Sequence, residues 1–260
     1  MYEMLAAEGY VSASVGRGTY VIFQYEQQMM HPGEKVIVEN PCYTGVKNAI
    51  NAVGGIPVPC AVDVNGIIPV DWNARLLFVT PSRQYPTGTV LSLERRQAIL
   101  RWASERQAVI VEDDYDSEFR HRGRPVEPLK VLDKGGRVIY IGTFSKTILP
   151  DFRVGYAVLP PSLTETFCKA QQLFEPHTPS LLEQRALTSF MNSGLYQRHL
   201  RRVRRVYSQK YEVMRHTMKE KLPHLFELVD SDAGLHIFAR LREGIEKIER
   251  VWNGKNIDSP

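Results

Sequence analysis

Val138-Ile139-Tyr140-Ile141-Gly142-Thr143-Phe144-Ser145-Lys146 is the stretch that decides how this chain is read. An apolar, β-branched run ends in small and hydroxylic residues and then a lysine, which is the pattern of a buried strand delivering a side chain from its carboxyl end. A second stretch of the same kind lies upstream, Val109-Ile110-Val111-Glu112-Asp113-Asp114-Tyr115, and Arg153 follows downstream. Further apolar runs at Val36–Val38, Ile56–Pro59, Leu76–Val79 and Val154–Val158 alternate with helical patterns over 43–53 and 93–106. Strands that alternate with helices predict a mostly parallel sheet with helices on both faces, and ligands in such folds bind beyond the carboxyl ends of the strands. Thr80, Asp113 and Thr143 each follow a predicted strand.

The remainder is organised around this centre. Residues 1–25 read as a helix from Met1 to Glu8 followed by a glycine-punctuated hairpin around Ser14–Val21, a unit too small for a core of its own. Beyond Pro160 the pattern is helical over 162–174, 180–192 and about 195–221, and then Leu225–Val229 and Leu235–Phe238 read as strands of a smaller unit. The organisation expected is therefore 1–25, 31–195 and 196–260.

Bulk composition narrows the classes. Among 260 residues, 43% are hydrophobic and 24% charged, which predicts a globular chain. The three cysteines Cys42, Cys60 and Cys168 are scattered without a C-x-x-C, which points to a reducing compartment and away from a disulfide framework or zinc site. No apolar run is long enough for a membrane span, so a cytoplasmic location is expected. A net charge of +4 neither requires nor excludes nucleic acid.

The chemistry-bearing residues form one set. Lys146 is a candidate to form an imine, a task that needs its amine neutral. Asp113 is a candidate partner for a protonated pyridine nitrogen, and Tyr115 for a phenolic oxygen on the same ring. Thr143, Ser145 and Arg153 suit a phosphate, and Tyr43 could stack on the ring. These are the parts of a pyridoxal 5'-phosphate site. Plainer readings stand beside them: a surface lysine at a helix start, a capping aspartate, an arginine flanking a strand and a tyrosine packed in the core. The acids Glu112, Asp113, Asp114 and Asp116 could instead hold a metal, but no histidine lies close to them in sequence.

Several stretches resemble the MocR family of bacterial regulators. In that family a GntR-type winged helix is fused to a fold-type-I aminotransferase-like domain. The matching segments are Glu39-Asn40-Pro41-Cys42-Tyr43-Thr44-Gly45, Thr80-Pro81-Ser82-Arg83-Gln84-Tyr85-Pro86-Thr87-Gly88, Glu112-Asp113-Asp114-Tyr115-Asp116-Ser117-Glu118-Phe119 and Gly142-Thr143-Phe144-Ser145-Lys146. Leu5–Val11 and Gly16–Val21 resemble the last helix and wing of the DNA-binding part.

The resemblance implies an α/β, fold-type-I transferase-like domain with a mostly parallel sheet of the seven-stranded type and a partial small C-terminal domain. It implies pyridoxal 5'-phosphate on Lys146, Asp113 and Tyr115, with Thr143, Ser145 and Arg153 on the phosphate side and Tyr43 stacking. The implied function is sensing of an amine or amino acid by imine exchange at Lys146, in a homodimer whose family binds DNA and is not membrane-bound. The alternatives are a working aminotransferase and a non-functional fragment. Tyr85 stands where ordinary aminotransferases carry a cofactor-contacting asparagine. The chain also looks shortened: the recognition helix is missing, the join near Gln24–His31 reads as a deletion, and the arginine for a substrate carboxylate has no counterpart after Ala233-Gly234-Leu235-His236.

One charge run stands apart, Arg198-His199-Leu200-Arg201-Arg202-Val203-Arg204-Arg205-Val206. Leu200, Val203, Val206 and Tyr207 recur at helical spacing, so a helix packed between two units is expected, in preference to a nucleic-acid patch.

Overall fold

The computed structural model describes residues 11–14, 18–21, 32–120, 126–174, 180–229, 231 and 233–242. The helix expected over Met1–Glu8 and the join near Gln24–His31 lie outside the described residues. The hairpin is seen as β1 (Val11–Ser14) paired antiparallel with β2 (Gly18–Val21).

The central element is a sheet of seven strands. In chain order they are β3 (Lys35–Asn40), β4 (Ile56–Asp63), β5 (Gly66–Ile67), β6 (Leu76–Val79), β7 (Val109–Asp114), β8 (Val138–Thr143) and β9 (Gly155–Val158). Their spatial order is β5-β4-β3-β6-β7-β8-β9. The five central strands run parallel, and β5 and β9 close the edges antiparallel. Parallel neighbours need crossover connections, and the helices between the strands supply them. The short edge strand β5 carries no sequence signal of its own, because two residues are too few for a period.

Side-chain alternation along the strands builds two cores. Ile37, Leu77, Val79, Ile110 and Val138 meet Ile99, Trp102 and Ala103 of α2 (Leu93–Glu105) on one face. Val36, Val38 and Ile50 of α1 (Thr44–Ala52) form the other core, with Leu76 and Phe78 packed against it. At β3 and β6 both faces are covered, which is why these strands read as continuous apolar runs. α2 begins at Ser92, whose hydroxyl accepts from the Arg95 amide as an N-cap. Leu77 is fully buried at the centre of β6. Leu77→Ala should cost about 2–5 kcal/mol through the cavity it leaves. A urea midpoint within error of wild type would contradict this placement of the core.

After β9 come α4 (Pro161–Phe174), α5 (Leu181–Asn192) and the long α6 (Leu195–Lys221). A third cluster joins Leu187, Tyr196 and Leu200 of α5 and α6 to Val154, with Phe144 and Ile148 against it. The segment carrying Lys146 is thus held against α6. Tyr196 Oη donates to Thr147 Oγ1 at 3.2 Å, and His199 Nε2 lies 2.9 Å from the Thr147 carbonyl oxygen. Val206, expected on the packed face of α6, is instead 38% exposed. At 100° per residue it falls well to one side of the row formed by Tyr196, Leu200, Val203 and Tyr207.

The smaller unit is the antiparallel pair β10 (Phe226–Val229) and β11 (Phe238–Leu241). The strand expected over Leu235–Phe238 therefore begins later than its apolar pattern indicates. The backbone of that segment is used elsewhere: Leu235 N donates to Asp116 at 3.3 Å, and the His236 carbonyl accepts from Arg83 at 2.6 Å. Groups committed to these side chains cannot pair in a ladder.

Candidate functional site

The carboxyl ends of β3, β6, β7 and β8 bring most of the candidate residues to one end of the sheet. In the register of β7 and β8, Asp113 lies opposite Ile141 and Asp114 opposite Gly142, so Lys146 leaves the sheet beside the acidic strand end.

The four clustered acids do not act together, because the pleat sends them to different partners. Glu112 is buried and accepts from the Leu129 and Lys130 amides at 2.9 and 2.8 Å, at the start of the single turn α3 (Leu129–Leu132). Asp114 accepts from Tyr140 Oη at 2.6 Å and from the Ser117 amide at 3.1 Å. Asp116 is paired with Arg83 at 2.9 Å. Asp113 alone has no hydrogen-bond donor among the described residues. Burial first, then the charges of Asp114 and Asp116, push its carboxyl up to about 6. A cation placed against it would reverse that shift.

Tyr115 lies beside it. Its hydroxyl is buried, and although the Arg83 guanidinium is near, no group reaches hydrogen-bond geometry with it. A buried phenol without a partner is uncommon and calls for an explanation. Burial, followed by the charge of Asp116, pushes its pKa up, which keeps a proton on the hydroxyl for donation to an incoming acceptor.

The aromatic rings are contiguous. Tyr115 stacks on His236 at 6.1 Å and meets Tyr85 edge-on at 6.0 Å. Tyr85 also meets His236 at 5.6 Å and Tyr43 at 5.9 Å. Tyr43 is exposed, and its ring lies over Gly45, where a Cβ would strike it. The core-packing reading of Tyr43 is therefore set aside. Lys146 is exposed, hydrogen-bonds to no described residue, and is near enough to His236 to affect its charge. Thr143 Oγ1 accepts from the Ser145 amide at 3.1 Å, which shapes the turn before Lys146. Arg153 is exposed, in the left-handed region at φ 49°, and its side chain makes no hydrogen bond or ion pair among the described residues, with Asp113, Tyr115 or any other.

Two parts of the site were not picked out as functional in the sequence. The first is a buried latch. Arg83 reaches Asp116, the His236 carbonyl and, at 3.4 Å, Ser231 Oγ, and its Nη1 lies 2.9 Å from His236 Nδ1. A guanidinium can only donate, so that imidazole nitrogen must accept and the ring must be neutral. Burial first, then the positive charge of Arg83, depress the His236 pKa to about 4, in keeping with a neutral ring. Gly234 at φ +96° makes room, since a Cβ there would land on the guanidinium. Three partners scattered over the chain leave no periodic signal.

The second part is Glu39, buried at the end of β3. It accepts from Thr80 Oγ1 at 2.6 Å and from the Thr80 amide at 3.1 Å, and the Tyr85 amide donates to Thr80 Oγ1 at 3.0 Å. Glu39 thereby positions the loop that carries Tyr85. Burial pushes its carboxyl up to about 7. The folded state therefore binds a proton more tightly than the unfolded state, so this contribution to stability is largest at low pH and is lost as pH rises to about 7. In cofactor-free protein the urea midpoint should fall between about pH 5 and 7, and Glu39→Gln should make that fall shallower. Superimposable pH profiles would remove Glu39 from the account.

Residues 7–253 match the family of class I and II aminotransferases. The chain belongs to that family. Its curated relatives include regulators of the MocR kind and also aminotransferases, such as the 2-aminoadipate transaminase of Thermus thermophilus at 30% identity, covering 82% of this chain and 56% of that protein. It is 39% identical over 229 residues to the probable rhizopine catabolism regulatory protein MocR of Rhizobium meliloti, covering 87% of this chain and 46% of that protein. It is 37% identical over 230 residues to the uncharacterized HTH-type transcriptional regulator YhdI of Bacillus subtilis, covering 87% and 49%. The chain thus spans about half the length of the curated relatives it matches. Among solved structures, the kynurenine aminotransferase of Pyrococcus horikoshii, in complex with PMP, superposes with a TM-score of 0.76 at 27% identity, covering 85% of this chain and 57% of that one. The α-aminoadipate aminotransferase LysN of Thermus thermophilus, complexed with a phosphopyridoxyl-leucine, gives 0.75 at 29%, covering 83% and 58%. The expected α/β fold with its mostly parallel seven-stranded sheet is the observed one. Among the described residues no helix is long and apolar enough to cross a membrane.

Proposed function

We propose that this chain is the pyridoxal 5'-phosphate-binding, aminotransferase-like part of a MocR-type transcriptional regulator, and that it senses an amine or amino acid at Lys146. The observation that carries the reading is the juxtaposition of a carboxylate, Asp113, and a buried hydroxyl, Tyr115, both without a hydrogen-bond partner among the described residues, at the strand end next to Lys146. Each lacks the kind of group the cofactor presents, a cationic ring nitrogen for the acid and an anionic oxygen for the phenol, so the residues fit it.

When bound, the cofactor supplies an aldehyde that captures amines and a ring that withdraws electrons. The chain's own residues would do the rest. Asp113 would hold the proton on the ring nitrogen. Tyr115 would donate to the ring oxygen, and Tyr43 would cover one face of the ring. Thr143, Ser145 and Arg153 would take the phosphate. Lys146 would carry the cofactor and, once displaced by a ligand's amine, would be free to move, which couples ligand binding to conformation. The relatives of higher identity carry regulator names and support a regulator, while other relatives and the fold neighbours support an aminotransferase. Repeated turnover of an amino acid with a keto acid would favour the enzyme. A single stoichiometric spectral change on adding an amine, without turnover, is expected of the sensor. Protein that stays colourless with excess pyridoxal phosphate would defeat both readings.

A further inference from the structure

We propose that the outer face of α6 contacts the phosphates of duplex DNA without reading its bases. The choice of DNA among polyanions rests on the regulator reading above.

Arg198, Arg201, Arg202 and Arg205 follow the spacing i, i+3, i+4, i+7, which places them on one stripe of the helix. The packed row of Tyr196, Leu200, Val203 and Tyr207 lies on the opposite side at 100° per residue. All four arginines are exposed, and none of their side chains has an ion pair or hydrogen bond among the described residues. Arg204, off the stripe, turns back to the Glu118 carbonyl, and the helix's first acid, Glu212, comes only after the stripe has ended. Four like charges within two turns repel one another and gain nothing from the fold, so an external polyanion is what would relieve them.

The dimensions suit DNA. Seven residues of helix span about 10 Å, and that length of duplex axis carries roughly six phosphate charges. Guanidinium groups also match phosphate oxygens bidentately. The stripe holds no aromatic residue that could stack on a base, and guanidinium contacts to phosphates position a duplex without carrying sequence information. A protein partner would want an apolar centre, whereas this stripe is guanidinium throughout. The helix is anchored at this end through Thr147, so the charges sit on a rigid element.

The test is fluorescence anisotropy of a 30-base-pair duplex of arbitrary sequence with the 260-residue chain, over a range of salt. Cofactor capture and sedimentation are measured on the same samples. Four contacts predict a log–log salt slope of roughly −3 to −4, about a hundredfold weaker binding at 200 mM than at 50 mM salt. Replacing all four arginines by glutamine should lower affinity at least tenfold and remove most of the slope. Replacing them by lysine should keep affinity within about tenfold of wild type. Both variants should capture cofactor as wild type does, so loss of capture in wild type would defeat the sensor reading while leaving the DNA result interpretable. The proposal is overturned if wild type fails to bind at low salt or if the glutamine variant keeps the slope. It is also overturned if that variant changes its sedimentation while binding DNA normally, which would assign the face to a second copy of the chain.

Discussion

Lys146→Ala is expected to abolish covalent capture of pyridoxal phosphate. Wild-type protein mixed with the cofactor and reduced with borohydride should carry one cofactor per chain, located by peptide mapping on Lys146, and the alanine variant should carry none. The effect is all-or-none because the captured bond needs an amine at that position, and no described lysine shares this strand end. Asp113→Asn separates capture from affinity. A neutral amide leaves Lys146 able to react but cannot balance a protonated ring, and removing one member of a buried charge pair costs about 2 kcal/mol or more. The expected result is therefore label that remains but needs a roughly thirtyfold higher cofactor concentration. Undiminished labelling of Lys146→Ala, or an Asp113→Asn variant that binds as wild type does, would disprove the assignment.

Arg83→Ala should be strongly destabilising. Arg83 and Asp116 are each only 1% exposed at the side chain. Removing the cation leaves an uncompensated carboxylate in the interior, at a cost of about 3–5 kcal/mol. It also frees the His236 carbonyl and removes one of the bonds to Ser231, so the β10–β11 unit should be held less firmly to the strand ends. A lowered urea midpoint together with faster proteolysis after Ser231 is the expected signature. The double change Arg83→Met with Asp116→Leu should recover much of the loss, because an apolar pair needs no counter-charge. If the double variant is as unstable as the single one, the cost lies in packing and the latch account fails. Gly234→Ala should move stability in the same direction, through the clash at the guanidinium and its φ of +96°.

The latch and the arginine stripe give different answers to what a charged residue is for. Arg83 is buried with three partners, whereas Arg198, Arg201, Arg202 and Arg205 are exposed with none. Composition alone cannot separate the two, since each is an arginine in a polar stretch.

Local pattern determined the scaffold. Runs such as Val36–Val38 and Leu76–Val79 are apolar because both sheet faces are covered there, and that pattern is written residue by residue along the chain. The same local logic placed Asp113 and Thr143 at strand ends and Lys146 just beyond, since a strand's end marks where its neighbours' ends must also be. Tertiary structure alone decided which acid is unpartnered, which ring faces which, and where the second strand of the small unit begins. Asp113 differs from Asp114 and Asp116 only in what lies across space from it, Tyr140 for one and Arg83 for the other. Leu235–His236 reads as strand in sequence but has its backbone groups taken by Asp116 and Arg83. Pairings between residues so far apart in sequence have no period, so they exist only once the chain has closed.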